Sequence, residues 1–586
     1  MAAKKQQRIK QYQREQAGVP NAAWRRHLLS AVFVLGGVLL VWRAVDKQVL
    51  ESDFLQSKGE ERYIETVEIE AHRGMITDRR GDVVAMSTPV DTIAANPRLL
   101  SASNEKLMPL AQALEMSLAQ LKKIISSSSS TYYVRLKRKL QPSEADYVLA
   151  VAKANGLKGL YKERSYRRYY PMHEVFSHVV GFTDYEDKGQ EGLERVFDEQ
   201  LAGLPGKKRV LRDGRRQVVE DIENIQMAED GKHLALSLDA RLQYIAYREL
   251  KSAVSKNSAI SGSAVILDVR TGEVLAMVNQ PGYNPNGNRS SKNGRLRNRA
   301  VTDTFEPGST MKPFVVAAAL DFDEVSIGEL IDTAPGYFKV RGGVVKDHDV
   351  LGEIDLDTLL AKSSNVGAAK LAMRLDSEKY YDFLQRLGFG EPVAFDFPAE
   401  TSGVLPHWTG WAEIEKATIS YGYRLSANTM QLARAYAALA NDGVAVPLTL
   451  LKRGDEKIEG RRVFEADSAK AVRQMLTKVV QPGGTATQAA VSNYQVAGKT
   501  GTSKKVAPEG GYSKDRYVSL FAGLAPADSP RLAMVVMVDE PKGKHYYGGL
   551  VAGPVFSKTM SEALRLMNVK PDAEKPDVRL ASQGVR

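Results

Sequence analysis

The sequence predicts an α+β domain held at a membrane by one helix, with a separate, highly charged α/β region between them. Three observations lead there. An uncharged apolar run follows a basic tail, the texture of the chain changes near residue 231, and strand-like segments at both ends of the second half enclose a helical middle.

The tail, 1–27, carries seven lysines and arginines against Glu15 alone, so it holds most of the net charge of +11. The run that follows, Leu28 to Trp42, has no charge, and with Arg43 snorkelling outward it reaches Val45. A helix over 28–45 is about 27 Å long at ~1.5 Å per residue, enough for a ~30 Å hydrocarbon core. It leaves through Trp42-Arg43-Ala44-Val45-Asp46 rather than through small residues, which favours an uncleaved anchor over a signal peptide. Basic residues stay on the cytoplasmic side, so the expected topology is a single pass with the N-terminus inside and the remainder outside, periplasmic in a two-membrane bacterium.

Residues 60–225 read as one charged region with short strands and a serine-rich loop at 126–130. From 231 to 569 the pattern is a strand and an amphipathic helix, then SAVILDVRTGEVLAMVN as two strands joined at Thr271-Gly272. A helical stretch follows, from about Lys312 to Val480, and then YVSLFAGLAP and RLAMVVMVDEP as two further strands. The last segment, 570–586, is charged and Pro-containing and is expected to be a flexible tail.

Composition narrows the chemistry. At 43% apolar and 26% charged the chain is neither disordered nor a multi-span membrane protein. It has no cysteine, which excludes disulfides, thiol nucleophiles and Cys-ligated metals. Outside the tail the charge is only +5, so nucleic acid is not an expected partner. His173-Glu174 with His178 is spaced i, i+5, putting the imidazoles about 140° apart on a helix; they do not form a zinc pair. No Gly-x-Ser-x-Gly elbow and no Walker loop occur.

Serine with lysine remains. Ser-x-x-Lys occurs at Ser103–Lys106, in a polar setting expected to be a loop with nothing to desolvate the amine, and at Ser309–Lys312 in FEPGSTMKPFVVAAAL. Pro307-Gly308 breaks the chain before Ser309 and an apolar helix follows, so Lys312 shares a helix face with Ser309. Burial against apolar walls disfavours the ammonium. To accept a serine proton the amine must fall from ~10.4 to about 7–8, a differential of roughly 4 kcal/mol. Lys499-Thr500-Gly501-Thr502 follows the strand-like YQVAG and offers a second cation, two hydroxyls and a glycine that allows close approach. Ser363-Ser364-Asn365 lies within helical periodicity, and Ser-x-Asn alone is common in this chain.

These three groups, in this order and separated by 54 and 136 residues, resemble the serine/lysine signature of penicillin-binding proteins and serine β-lactamases. With HRGMITDRRGDVVAMS at 72–87, RYYPMHEVFSHVVGFTDYEDKGQEGLERVFDEQLAG at 168–203, LDVRTGEVLAMVNQPGYNPN at 267–286 and YGGLVAGPVF at 547–556, the chain resembles the class B penicillin-binding proteins of the septal (penicillin-binding protein 3) type over nearly its whole length.

The resemblance implies a penicillin-binding transpeptidase fold over 231–569 behind a non-catalytic pedestal, and a D,D-transpeptidase that cross-links peptidoglycan during septation. Ser309 would form an acyl-enzyme with a stem pentapeptide. Lys312 would be the base, Ser363 and Asn365 would relay protons, and Lys499, Thr500 and Thr502 would grip the terminal carboxylate beside Gly501. The backbone N–H groups of Ser309 and Thr502 would form the oxyanion hole. Tyr421, Tyr546 and Tyr547 look like the family's aromatic wall. The resemblance also implies β-lactams as inhibitors, a SEDS-type lipid-II polymerase and other division proteins as partners, no cofactor or metal, and no glycosyltransferase domain.

Within the same chemistry a D,D-carboxypeptidase or a β-lactamase would use water as acceptor; from another class, a division-type paralogue would keep the fold as a scaffold or β-lactam sensor. One departure bears on that choice. The septal family usually reads Tyr-Gly-Tyr-Gly where this chain has Tyr421-Gly422-Tyr423-Arg424, and an arginine takes a positive φ only at a cost and adds charge at the rim.

Overall fold

A computed structural model describes residues 2–15, 23–51, 64–100, 103–128, 130, 132–212, 218–287, 294–393, 395–454, 458–507 and 509–573. Most of the expected tail, 574–586, and the linker 52–63 lie outside the described residues, as does Ser129 of the serine-rich run.

The chain divides into two compact units. One comprises Met1–Glu70, Ser130–Tyr132 and Pro205–Ala228. It holds a basic helix, Ala2–Glu15, and an apolar one, Ala23–Val45, that continues as a wider π-helical turn over Asp46–Leu50. The span Trp24–Leu50 is long and apolar enough to cross a membrane, and none of it is buried inside the protein. The same unit contains a three-stranded antiparallel sheet, with Gly206–Arg212 between Ile64–Ile69 and Val218–Gln226.

The second unit is built on a five-stranded antiparallel sheet. Its strands are β1 (Ser261–Asp268), β2 (Val274–Gln280), β3 (Ala497–Val506), β4 (Tyr512–Ala525) and β5 (Leu532–Asp539), in the order β2-β1-β5-β4-β3. The first two and last three strands of the domain thus share one sheet, and Gly272 at φ +68 turns the β1–β2 hairpin where Thr271-Gly272 predicts it. β1 and β2 are buried along their whole length, which requires cover on both faces. Helices α1 (Ala240–Lys256) and α6 (Gly553–Leu566) pack together and onto strands, and α5 (Thr429–Ala440) packs on β1, β4 and β5. Between the two strand groups lie α2 (Lys312–Asp321), α3 (Leu356–Lys362) and α4 (Asn365–Arg374), interrupted by a hairpin, Tyr337–Val340 with Gly343–Lys346, that the helical periodicity does not predict.

One further sequence expectation changes. Ser103–Lys106 does not lie in a loop: Ser103 precedes the helix Asn104–Ala113, and Lys106 lies on its exposed face. Across the texture change near 231, Leu234–Ala235 pairs in parallel with Ile76–Thr77. Strands Val83–Ala95, Val134–Leu140 and Leu160–Tyr169, with helices Asn104–Ala113 and Pro142–Ala154, surround a smaller separate core in this unit.

Candidate active site

The chain around Ser309 is shaped by its neighbours in sequence. Gly308 takes φ +57, and Gly308–Met311 forms one 3₁₀ turn that feeds α2. Pro313 fits the first turn of that helix, where no N–H partner is needed. The Thr310 hydroxyl donates to Pro307 O at 2.7 Å and the Tyr436 hydroxyl to Thr310 O at 3.0 Å, pinning the turn from both sides. Every residue from Lys312 to Ala319 is buried, so α2 runs through the core, while Ser309 remains half-buried at its entrance.

Lys312 is therefore fully buried, and among the described residues no carboxylate bonds to it. Its Nζ donates to Ser363 O (2.5 Å), Ser363 Oγ (3.0 Å) and Asn365 Oδ1 (2.7 Å). Burial holds this amine well below the usual lysine range; the nearby Lys499 charge pushes the same way, and Asp347 opposes both only in part.

Ser363-Ser364-Asn365 is not inside a helix, as its periodicity predicts, but at a break between two. Ser363 ends α3 in the left-handed region at φ +62, and the Ser364 hydroxyl accepts from Gly367 N at 2.9 Å to cap α4. The residue that makes this break possible escaped sequence reasoning. Asp347 accepts from Asn365 N (2.5 Å), Val366 N (3.0 Å) and Ser364 Oγ (2.6 Å), replacing the helical bonds that the break removes. Asn365 Nδ2 donates to Lys346 O at 3.0 Å from the same hairpin end. A helix start invites a carboxylate, but nothing in the sequence says which one.

Lys499, Thr500, Gly501 and Thr502 lie on β3, the edge of the central sheet, opposite Ala522, Phe521, Leu520 and Ser519. Gly501 is required by crowding: a Cβ there would lie 2.8 Å from Pro307 O and 3.0 Å from Thr310 Cγ2, so the edge strand runs flush against the Ser309 turn. Lys499 is fully buried, and burial pushes its amine down to about 7. Thr500 Oγ1 shares a hydrogen bond with Thr485 Oγ1 (3.1 Å), a partner not singled out in sequence, and Thr502 Oγ1 accepts from Gly548 N (3.0 Å).

The aromatic residues flank this arrangement. Gly308 N donates to Gly422 O at 3.0 Å, which seats the Tyr421–Arg424 segment on the serine turn. Tyr421 is half-buried beside Tyr423 and its hydroxyl is pushed up to about 12 by burial. Tyr546 stacks between Tyr517 (4.2 Å) and Tyr547 (4.5 Å) just before Gly548. Among the described residues no hydrogen bond or ring contact joins Tyr421, Tyr546 or Tyr547 to Ser309, Lys312 or Lys499. Arg424 does take the strained conformation, at φ +67; its N–H donates to Glu306 Oε1 (2.9 Å) and its guanidinium pairs with Glu415 (3.2 Å), which answers the added charge.

His178 is buried, 2.8 Å from Arg295 O, and burial pushes it down to about 4. Among the described residues no group of three His, Asp or Glu side chains is placed to hold a metal ion.

An amine without a counter-ion, held beside a serine turn and a cationic strand edge, suits proton abstraction and carboxylate capture. Comparison with known proteins gives the family. Residues 262–561 match the penicillin binding protein transpeptidase domain, and residues 68–236 the penicillin-binding protein dimerisation domain. The chain is 40% identical to the peptidoglycan D,D-transpeptidase FtsI of Escherichia coli K12, over 94% of this chain and 93% of that one. It is 39% identical to the probable peptidoglycan D,D-transpeptidase PenA of Neisseria gonorrhoeae, over 93% of each. Among solved structures, the transpeptidase domain of Burkholderia pseudomallei penicillin-binding protein 3 is 42% identical with a TM-score of 0.54, covering 58% of this chain and 98% of that one. Penicillin-binding protein 3 of Mycobacterium tuberculosis, solved with aztreonam, is 28% identical with a TM-score of 0.67, covering 86% and 98%. The chain belongs to the penicillin-binding protein transpeptidase family.

Proposed function

We propose that this chain is a peptidoglycan D,D-transpeptidase working through an acyl-enzyme on Ser309. The observation that carries the reading is the buried Lys312 amine, held by Ser363 and Asn365 with no carboxylate in contact among the described residues. In its neutral form the amine donates to the Ser363 and Asn365 carbonyl oxygens and has a lone pair to accept a proton from a hydroxyl.

Ser309 Oγ attacks the penultimate D-Ala carbonyl of a stem pentapeptide and its proton passes to Lys312. The C–N bond then breaks, the proton goes to the departing D-Ala amine with Ser363 as relay, and an ester remains on Ser309. An acceptor amine from a second stem peptide, of the diaminopimelate type, attacks that ester, and Ser309 recovers its proton as the new amide forms. Lys499, with Thr500 and Thr502, holds the terminal carboxylate, a charge-assisted contact strengthened by burial. The Ser309 and Thr502 N–H groups receive the oxyanion. β-Lactams acylate the same serine.

The apolar span Trp24–Leu50 anchors the chain, with the basic tail in the cytoplasm and both matched domains outside, in a septal role alongside a SEDS-type polymerase and other division proteins. Fluorescent penicillin labelling of the full chain in detergent tests the acyl-enzyme: wild type labels stably and Ser309→Ala does not. Label on Ser309→Ala rules out Ser309 as nucleophile, and rapid loss of label from wild type indicates hydrolysis. A reporter fused after residue 60 should be active only outside the cytoplasm.

A further inference from the structure

Away from Ser309, a cleft of about 630 Å³ opens beside the strands of the dimerisation-type region. Arg138 and Lys139 reach it from the end of Val134–Leu140, Arg167 and Arg168 from Leu160–Tyr169, and Tyr185 and Asn286 complete its wall. Four cations converge here, and two of them, Arg138 and Arg167, meet no carboxylate among the described residues.

Arg168 forms the floor, with its side chain 1% exposed. Nε donates to Glu194 Oε1 at 2.6 Å and Nη1 to Ser87 Oγ at 3.4 Å, but Nη2 is buried with no hydrogen-bond partner among the described residues. A buried guanidinium N–H without an acceptor is costly. Arg167 spends one N–H on Asn286 O (3.2 Å) and meets no carboxylate, and Arg138 has no hydrogen bond or ion pair among the described residues. The one acidic residue in the wall, Asp184, has both oxygens committed: Oδ1 accepts from Glu186 N and Lys188 N, and Oδ2 from Gln190 Nε2. Lys139 Nζ lies 5.2 Å from the centre of the Tyr185 ring.

An orphaned buried donor on Arg168, beside Arg138 and Arg167 that meet no carboxylate among the described residues, points to an anionic ligand. The volume is that of a small-molecule or short-peptide site, far larger than one inorganic ion needs. Three of the four cations are arginines, whose planar forks match carboxylates two bonds at a time. We propose that this cleft is a second, non-catalytic site that binds a peptide bearing several carboxylates, of the stem-peptide class. The identity of the peptide rests on the transpeptidase reading; the anion site itself rests on the arginines. Asn286 lies in the segment that leaves β2, so a bound peptide touches the catalytic domain as well as the strands carrying the arginines.

The probe is a fluorescent L-Ala-γ-D-Glu-diaminopimelate tripeptide, titrated by anisotropy into full-length protein in detergent before and after acylation by penicillin. Binding should persist after acylation and weaken at least tenfold in Arg138→Ala/Arg167→Ala, with penicillin labelling and melting temperature unchanged. Arg138→Lys/Arg167→Lys, which keeps charge but not the fork, should fall between. Binding that vanishes on acylation, or that the double alanine variant retains, overturns the site. Inorganic pyrophosphate displacing the tripeptide at equal concentration overturns the peptide assignment. Labelling and anisotropy are read separately: an unlabelled wild type refutes the acyl-enzyme, whereas loss of anisotropy with labelling intact refutes only the cleft.

Discussion

Two regions of the second unit bury cations completely and treat them in opposite ways. Near the dimerisation-type strands, Arg73 and Arg168 are 2% and 1% exposed and share Glu194, with Asp198 2.8 Å from Arg73. Burial works against the Arg73 charge, but Glu194 and Asp198 outweigh it and hold it above its ordinary range. In the candidate active site Lys312 and Lys499 are just as buried, yet their contacts are carbonyls, an amide and hydroxyls, and both amines are pushed down. Burial alone does not set the outcome; the presence of a carboxylate in contact does. One arrangement locks charge as structure, and the other leaves amines that lose their protons more readily.

The sharpest way to break this comparison is Lys312→Ala. Under the proposed mechanism acylation falls by about 10²–10⁴-fold, and Lys312→Arg does not restore it because a guanidinium keeps its proton. Stopped-flow penicillin acylation reads both, and near-normal rates in either variant would remove Lys312 as base. The paired region should respond in stability instead. Glu194→Ala strands the Arg168 guanidinium and leaves Arg73 with Asp198 alone, and is expected to cost about 3–5 kcal/mol in denaturant unfolding, with acylation of the folded fraction unchanged.

Asp347→Asn tests a carboxylate that acts on the Lys312 amine. Losing its charge weakens three hydrogen bonds at the start of α4, and about a tenfold drop in acylation rate is expected with little change in melting temperature. A drop in stability as large as that of Glu194→Ala would make Asp347 purely structural.

The pH dependence separates the regions again. Under the proposed mechanism carboxylate capture needs charged Lys499, so acylation should decline as pH rises through about 7, and Lys499→Arg should carry the plateau to higher pH. For stability the sign is the reverse. Between about 7 and the unfolded lysine value, the unfolded chain holds more protons at Lys499, so its burden on folding lessens as pH rises. The stability gained by Lys499→Met should therefore shrink from pH 7 toward 10. A gain that grows instead would contradict the depressed amine.

The smallest effect is expected at Arg424→Gly. Relief of φ +67 favours the variant by up to about 1 kcal/mol, partly offset by loss of the Glu415 pair, and thermal melts should show a slight rise.

Much of this was legible beforehand because it depends on local order. An uncharged run beside a basic tail reads as an anchor, Thr271-Gly272 between alternating strands reads as a hairpin, and Pro-Gly before Ser309 reads as a break leading into an apolar helix. Ser309, Lys312 and the Lys499 strand could be put forward as candidates because their residue types, order and spacing narrow the chemistry. Asp347 and Thr485 were not, since each matters only through contact with residues distant in sequence, and the periodicity around Ser363 hid the left-handed turn that ends α3.

Sequence by itself determined which side chains were available and which segments had to be buried, because hydrophobic patterning and turn chemistry act over a few residues. Tertiary structure decided which buried cations kept their charge. That depends on whether folding delivers a carboxylate such as Glu194 or only the carbonyls and hydroxyls around Lys312, and Coulomb interactions act through space without regard to chain order.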